Sequence, residues 1–573
     1  MEPPRPEDDA PTAAVARALP SLRARLLGRA PRVALWLLAL ASLAFFADDL
    51  GGWGLLPPPE ELWPWRAEPA PGRNVSSDRV QKATEALDDA LAVALARRTP
   101  AIPHPTPNAA AAATATGGAP VAVSPKSGPD PVAWRAPVPD DLEGTIQPLE
   151  NPCRREESGR CVERALDPFY AALRRTALGE PGAVTRITHF GDSVIVEDLW
   201  TGTVRRKLQQ RFGDAGAGFL FVARPWEWYG HQDVVTKFTD AWHVKRVTVG
   251  QSRDRLYGYG GVSFLAAGPG AKATFGTSSA GATGGAVSRF EVYYLAQPGG
   301  GAVALTVDGA VRATFSTAAD GVGSGFHRLD LADGPHEIEL RSLGGGPVRL
   351  FGVTLEREGP GVVYDGIGIL GASARALLEP DEAHWKEQFE HRRPDLVILT
   401  FGTNESDHEL SLAAYREQLE RVVARIRAVA PWAGCLLAGP PDRGDPNTHH
   451  TRPQIPKIVA VQREVARAAG CAFWDTFAAM GGPDTMWRWY RANPRQSFGD
   501  LTHLAPAGGE ILGGLLYGAL VQGLLEYLER NERIAAPPAE HPGGRESTAS
   551  ASPPSGGTMP PAPSPCREAP RFR

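Results

Sequence analysis

The sequence predicts a three-layer α/β domain built on a parallel sheet and interrupted by an inserted all-β sandwich of the jelly-roll type. Short apolar runs alternate with helical patterns on both sides of the insertion, which indicates a parallel sheet covered on both faces. Residues 225–359 instead contain short alternating runs and Gly-rich turns without a helical pattern, which is typical of an all-β module. The remaining segments, 151–224 and 360–532, therefore form one discontinuous domain.

The N-terminal fifty residues have the pattern of an export segment. Residues 1–32 are polar and Arg-rich, and the segment 33–50 begins with an uninterrupted apolar run. The apolar run covers residues 33–47. As a helix it would span about 22 Å, less than the roughly 30 Å thickness of the hydrocarbon core of a membrane. Arginines before the run predict a cytoplasmic N-terminal segment and an exported body. We expect one N-terminal helix to anchor the protein in the inner membrane, with the body of the protein on the periplasmic or cell-envelope side. A cleaved signal peptide is the alternative.

Two segments have the composition of chains without a packed core. Residues 51–150 are rich in Pro and Ala and contain a short helical pattern at 74–97. The end of the chain, 533–573, is rich in Pro, Ser and Gly. Such compositions bury too little apolar surface to order the chain. We expect the first segment to be a linker with a short helix and the second to be a disordered tail.

The elements of the α/β domain follow from the hydrophobic period. Helical patterns cover 165–176, 199–212, 382–391, 412–430, 457–469 and 507–530. Apolar runs typical of buried parallel strands cover 185–190, 365–370, 395–401, 435–439 and 471–475. Within the β module, the runs VALTV and VRATF flank Asp308-Gly309, which predicts a hairpin.

Charge and cysteine spacing exclude some classes of protein. The 573 residues carry a net charge of −5, which does not suggest a nucleic-acid-binding surface. None of the five cysteines has metal-ligand spacing, and no metal or organic cofactor is implied. Cys153 and Cys161 either close a small disulfide loop or are free thiols. Cys435 and Cys471 lie in apolar runs and are predicted to be core residues.

Ser193 lies where a strand, a tight turn and a helical pattern meet. The strand ends at Phe190, Gly191 and Asp192 form the turn, and a helical pattern is predicted to begin just after Ser193. Backbone N–H groups at a helix N-terminus are unpaired and can stabilise an anion. An acyl-transfer nucleophile would therefore be well placed here. The alternative is an ordinary N-cap serine.

Three further segments carry polar or glycine residues beyond strand ends. Gly371 lies in GILGAS, Asn404 follows the strand that ends at Phe401, and Asp500 and His503 form a D-x-x-H motif before the last helix. Ligands of parallel sheets bind beyond the carboxyl ends of the strands. Each residue alone is more often a turn, strand-end, capping or loop residue. From their positions beyond strand ends, we expect Ser193, Gly371 and Asn404 to lie at one edge of the sheet.

These four blocks resemble the SGNH (GDSL-type) hydrolase superfamily over residues 183–530. The resemblance is strongest to envelope polysaccharide acetylesterases of the peptidoglycan O-acetylesterase kind, which also carry a carbohydrate-binding-like β-sandwich insertion. It implies that Ser193 is the nucleophile, His503 the general base and Asp500 the residue that orients it. It also implies an oxyanion hole formed by Ser193, Gly371 and Asn404. Val194 departs from the family, in which a polar residue often follows the nucleophile.

The resemblance implies a serine esterase that removes O-acetyl groups from an envelope polysaccharide, with peptidoglycan favoured. An O-acetyltransferase with the same triad is an alternative, since a sugar hydroxyl can replace water as the acceptor. A non-catalytic carbohydrate-binding envelope protein is an alternative of another class. Trp487, Arg488 and Arg491 are candidates for sugar binding; a packing or surface role is equally compatible with the sequence.

Overall fold

The structure is a computed structural model that describes residues 75–96 and 144–535, except positions 250, 280, 408 and 410, with backbone only for 532–535. The described residues belong to one compact unit. The predictions for the N-terminal segment, for the anchor or signal segment, and for most of the linker and tail lie outside these residues.

As the sequence predicts, helices and strands alternate before and after a long run of consecutive strands, which extends from 218 to 368. The α-helices are α1 (Ser77–Ala96), α2 (Asp167–Ala177), α3 (Leu199–Phe212), α4 (Glu382–Arg392), α5 (Leu412–Val429), α6 (Gln454–Ala468), α7 (Thr476–Ala479), α8 (Thr485–Tyr490) and α9 (Pro506–Ala535). The first strands are β1 (Cys153–Glu157), β2 (Arg160–Arg164), β3 (Val184–Gly191), β4 (Gly218–Leu220), β5 (Val234–Phe238), β6 (His243–Arg246), β7 (Val262–Ala266), β8 (Lys272–Thr277) and β9 (Val287–Ala296). The others are β10 (Ala302–Val307), β11 (Ala310–Ser316), β12 (Gly323–Gly334), β13 (Glu337–Gly344), β14 (Val348–Glu356), β15 (Gly361–Gly368), β16 (Leu396–Thr400), β17 (Gly434–Ala438) and β18 (Ala472–Trp474).

A five-stranded parallel sheet has the strand order β15-β3-β16-β17-β18. Side chains of a strand alternate between the two faces of its sheet. In β16, Val397 and Leu399 belong to one hydrophobic cluster, whereas Leu396 and Ile398 belong to another. Helices α4, α5 and α6 contribute to the first cluster, and α1, α2, α3 and α9 contribute to the second. The prediction of an α/β fold with a covered parallel sheet is confirmed.

Two antiparallel sheets are formed by strands that lie in the sequence between β3 and β15. Their orders are β11-β10-β13-β8-β5 and β12-β9-β14-β7-β6, and β4 pairs with β14. The rings of Phe275 in one sheet and Phe290 in the other are 5.8 Å apart. The predicted hairpin joins β10 to β11, where Val307 pairs with Ala310. Asp308 and Gly309 between them have φ values of 50° and 80°, as a two-residue hairpin turn of type I′ requires.

The antiparallel strands pack directly against the parallel-sheet domain. Phe190 of β3 and Phe219 of β4 belong to the same hydrophobic cluster. A buried ion network adds to this contact: the Arg392 guanidinium of α4 binds Asp365 of β15 at 2.7 Å and also contacts Glu356 of β14. Removing one partner from such a buried network leaves an uncompensated charge, which typically costs about 3–5 kcal/mol. The two parts are therefore joined by both apolar and ionic contacts.

A second buried ion network joins α3 to the start of the β module. Arg205 is fully buried and donates to the carboxylates of Asp198 and Asp233. Burial opposes ionisation of Asp198, but the Arg205 charge holds its pKa well below the usual range. Asp198 therefore has a structural role at the end of the turn that carries Ser193.

Helix α1 packs onto the domain although the sequence predicts it within a linker. Its apolar side chains, including Val80 and Leu91, belong to the same cluster as Leu516 of α9. Within the described part of the chain, Pro506–Asn531 of α9 is the one stretch with the length and apolar composition of a membrane span, and most of its apolar stretch is buried in the fold. Helix α9 is thus a central core helix of the domain.

Two disulfide bonds link the four cysteines of the described residues. Cys153 joins Cys161 across the β1–β2 hairpin, which is one of the two alternatives that the sequence leaves open. Cys435 of β17 joins Cys471, the residue before β18. Cys435 and Cys471 are both buried, as predicted for core residues, but the disulfide bond between them was not predicted. The bond closes the crossover between two neighbouring strands.

Candidate active site

The turn after β3 holds Ser193 at the carboxyl edge of the parallel sheet. Asp192 accepts a hydrogen bond from the Val194 amide at 3.1 Å and caps a 3₁₀ helix, Ser193–Ile195. A Cβ atom at Gly191 would lie 2.9 Å from both the Ile195 side chain and the Thr400 carbonyl, so the turn requires glycine there. The prediction of a helix directly after Ser193 was wrong in its type: a 3₁₀ helix comes first, and Asp198, with a φ of 58°, separates it from α3, which begins six residues after Ser193.

Ser193, His503 and Asp500 form one hydrogen-bonded chain. Ser193 Oγ lies 2.9 Å from His503 Nε2, and His503 Nδ1 lies 2.6 Å from Asp500 Oδ2. A carboxylate accepts hydrogen bonds and cannot donate them. The Nδ1 atom therefore carries the proton, and Nε2 of the neutral imidazole is free to accept the Ser193 hydroxyl proton.

Backbone hydrogen bonds hold the D-x-x-H loop in shape. The other Asp500 oxygen, Oδ1, accepts from the amides of Thr502 and His503 at 3.0 and 3.1 Å. The Phe498 amide donates to the His503 carbonyl at 2.9 Å. The three-residue spacing thus lets one carboxylate both close the turn and orient the imidazole, so the base and its partner are placed as one unit.

The charges of the loop favour an ionised Asp500 and a more basic His503. Burial tends to raise the pKa of Asp500, but its hydrogen bonds from His503 lower the pKa to about 2. Burial tends to lower the pKa of His503, but the hydrogen bond and charge of Asp500 raise it above the usual value, with smaller contributions from Asp192 and Glu197. At neutral pH the carboxylate is charged, and it stabilises the imidazolium that forms when the base takes a proton.

We expect Asp500→Asn to lower kcat by about 10⁴-fold and to shift the pH profile. The wild-type enzyme needs neutral His503, so kcat/KM should rise as the pH increases through a pKa above 6.5. Without the carboxylate charge, the pKa of His503 falls, and the midpoint of this rise should move to lower pH. Steady-state hydrolysis of an aryl acetate across pH measures both effects. A midpoint that stays in place or moves to higher pH would contradict the proposed ion pair.

Gly371 and Asn404 follow the two strands that flank β3. Gly191, at the end of β3, is in register with Gly368 of β15 and Thr400 of β16. Gly371 lies just beyond β15 with a φ of 68°. The Asn404 side-chain amide donates one hydrogen bond to the Ala372 carbonyl at 2.8 Å. An amide group has two N–H donors, so this bond orients the group while one donor is left for a ligand.

A cavity of about 240 Å³ opens beside Ser193 and His503. Its lining is formed by Ser193, Val194, Val196, Glu197, Leu199, Trp228, Phe498, Asp500, His503 and Leu504. The Trp228 and His503 ring centroids are 6.1 Å apart. Sequence reasoning missed Trp228 and Phe498 as site residues. The aromatic run PWEWYG at 225–230 is visible in the sequence. The spacing of its aromatic residues does not show that Trp226 is buried and Trp228 exposed.

Trp487, Arg488 and Arg491 do not line this cavity. The Arg488 guanidinium donates to the carbonyls of Pro483 and Gly481 and to the Thr485 hydroxyl, so it holds the start of α8. The Trp487 ring stacks on His449 at 3.7 Å, and the Arg491 guanidinium lies 5.6 Å from its centroid. These contacts favour a packing role, and sugar binding by the three residues stays a prediction.

No group of three His, Cys, Asp or Glu side chains within residues 75–96 and 144–535 is arranged to hold a metal ion.

Comparisons with known proteins concern the domain that carries this site. The sequence model of the GDSL-like Lipase/Acylhydrolase family matches residues 317–511, a range that holds Gly371, Asn404, Asp500 and His503 and leaves Ser193 outside. A solved structure described as "Peptidoglycan O-acetylesterase in action" is similar with a TM-score of 0.53 and 25% identity, covering 62% of this chain and 96% of that chain.

Two further solved structures are more distant. A lipase/acylhydrolase from Enterococcus faecalis has a TM-score of 0.22 and 24% identity, covering 28% of this chain and 77% of that one. A family two carbohydrate esterase from Clostridium thermocellum has a TM-score of 0.24 and 11% identity, covering 51% and 100%. No curated protein matches the sequence.

Proposed function

We propose that this chain, which carries a GDSL-like SGNH hydrolase domain, removes O-acetyl groups from a cell-envelope polysaccharide, with peptidoglycan the favoured polymer. The observation that carries the proposal is the hydrogen-bonded chain from Ser193 Oγ through His503 to Asp500. Peptidoglycan is favoured because the similar solved structure is described as a peptidoglycan O-acetylesterase.

The first half of the reaction transfers the acetyl group to Ser193. His503 Nε2 takes the hydroxyl proton while Oγ attacks the ester carbonyl carbon, and a tetrahedral oxyanion forms. When the ester C–O bond breaks, the His503 imidazolium gives its proton to the leaving sugar alkoxide. Asp500, with a pKa of about 2, remains charged and stabilises the imidazolium. The products are the sugar alcohol and acetyl-Ser193.

The second half releases acetate. His503 takes a proton from water, the hydroxide attacks acetyl-Ser193, and the proton returns to Ser193 Oγ as the C–O bond breaks. A sugar hydroxyl in place of water would give the O-acetyltransferase alternative with the same residues. In each half, the backbone amides of Ser193 and Gly371 and the side-chain amide of Asn404 would stabilise the oxyanion. One such donor is typically worth roughly 100- to 1000-fold in kcat.

A cell-envelope polysaccharide lies outside the cytoplasm, and two features of this chain fit a protein that is exported to reach it. The disulfides Cys153–Cys161 and Cys435–Cys471 suit an oxidising compartment. The apolar run within 33–50 would tether the domain to the inner membrane, and the Pro-rich residues 51–74 between that run and α1 would let it extend into the envelope. The antiparallel strands of 225–359 would form the inserted carbohydrate-binding-like β-sandwich.

Acetate release from O-acetylated peptidoglycan fragments by the full-length protein tests the proposal. We expect release that does not depend on an added sugar acceptor and is lost in Ser193→Ala. Acetylation of an unacetylated acceptor, with little free acetate, would favour the transferase. Turnover of an aryl acetate without release from the polymer would overturn the choice of substrate. Polymer binding without turnover of any ester would favour the non-catalytic carbohydrate-binding alternative.

A further inference from the structure

The cavity beside the triad borders the part of the site through which the alcohol of an ester must leave. His503 protonates the leaving oxygen, so that oxygen must lie within hydrogen-bonding distance of Nε2. The cavity is lined by His503 and Ser193, whereas Gly371 and Asn404, which would hold the carbonyl oxygen, do not line it. A substrate bound with its carbonyl oxygen toward those two donors therefore places its alcohol portion in this cavity.

Two exposed aromatic side chains form walls of the cavity. Trp228 is 52% exposed and Phe498 is 45% exposed, although large apolar side chains are usually buried. Exposed apolar surface next to a reactive group is typical of a binding site. The neighbouring Trp226 is buried in the core, so the chain backbone at this point anchors one indole ring inside and presents the next one to the cavity.

The cavity has the size and polarity of a site for one neutral sugar ring. Its volume of about 240 Å³ is below the roughly 300–1,000 Å³ of sites for drug-sized ligands. The lining side chains include carboxylates, Glu197 among them, but neither Lys nor Arg, so an anionic group would be disfavoured. A pyranose ring has an apolar C–H face that suits an aromatic wall and hydroxyl groups that can donate to Glu197.

We propose that Trp228 and Phe498 form the subsite that holds the sugar ring whose acetyl ester is cleaved. This inference rests on the proposed function and deepens it: the ring that carries the acetyl group is a neutral pyranose, stacked beside His503. Trp228 lies at the start of the β module, in the stretch between β4 and β5. The insertion would therefore contribute a substrate-binding residue to the active site of the parallel-sheet domain.

The test compares two acetate esters that differ in their alcohol. A mono-O-acetylated methyl glucoside places a pyranose in the cavity, whereas the ethanol portion of ethyl acetate is too small to reach both aromatic walls. We expect Trp228→Ala to lower the ratio of kcat/KM for the sugar ester to kcat/KM for ethyl acetate at least tenfold, mainly through KM. Phe498→Ala should lower the same ratio, and Trp228→Phe should restore most of it.

Val311→Ala, at an exposed valine of β11, is the matched control and should keep the wild-type ratio. An equal loss on both esters in Trp228→Ala would mean that the indole acts on His503, with which it is in ring contact, and would overturn the subsite. An unchanged ratio would also overturn it. If the wild-type protein cleaves ethyl acetate but no acetylated sugar or polymer, the proposed function itself fails.

Discussion

Ser193→Ala should lower kcat for an aryl acetate by about 10⁶-fold, to the small rate that binding and the oxyanion donors alone provide. The hydroxyl lies 2.9 Å from His503 Nε2, and alanine leaves the base with no nucleophile to activate. The fold should be retained, because the Val194 amide donates the capping hydrogen bond of this turn to Asp192 Oδ1, and the Ser193 side chain takes no part in it. Steady-state kinetics of the purified variant measure the loss of kcat, and circular dichroism tests whether the fold is retained.

Ser316→Ala provides the matched control, since Ser316 is an exposed serine at the end of β11. It should retain the wild-type rate. Undiminished turnover in a folded Ser193→Ala protein would remove the assignment of the nucleophile, and with it the oxyanion assignments that depend on the position of that hydroxyl.

His503→Ala should be equally severe, with a loss of about 10⁶-fold in kcat. The imidazole is the group in contact with both Ser193 Oγ and Asp500 Oδ2. Without it, the hydroxyl keeps its proton and the leaving alkoxide receives none, so both halves of the reaction lose their acid–base catalyst. The rate of acetate release from an aryl acetate, followed at a fixed pH above neutrality, measures the loss.

His243→Ala, at an exposed histidine of β6, controls for the loss of a histidine as such and should behave as the wild type does. A loss of only tenfold in His503→Ala would point to a different general base. In that case the hydrogen bond between His503 and Ser193 would be structural, and the pH profile expected for Asp500→Asn would not appear.

The sequence could predict where the chain carries the candidate site residues. Strand β16 is an uninterrupted apolar run because both of its faces are buried, so the strand and the polar residue that follows it were recognisable. Asp500 and His503 are three residues apart, so their contact needs only one loop. Ser193 is distant in sequence, but the carboxyl ends of parallel strands meet at one edge of the sheet.

The sequence could not predict contacts that depend on tertiary packing. Cys435 and Cys471 are separated by 36 residues, and nothing in an apolar run indicates that two buried thiols will meet. The helical pattern of α1 was visible, but its partner, α9, lies more than 400 residues further along the chain. Trp228 and Trp226 have the same local sequence environment, and only the fold decides which of them faces the cavity.

Covalent labelling with an aryl dialkyl phosphate tests the central claim, that Ser193 is the activated nucleophile, most directly. The phosphoryl adduct of a serine is stable, so it does not depend on trapping a short-lived acetyl group. We expect stoichiometric inactivation of the full-length protein and, by mass spectrometry of its peptides, one phosphoryl group on Ser193. An active esterase that is not inactivated, or that is inactivated with the phosphoryl group on another residue, would contradict this account of the site.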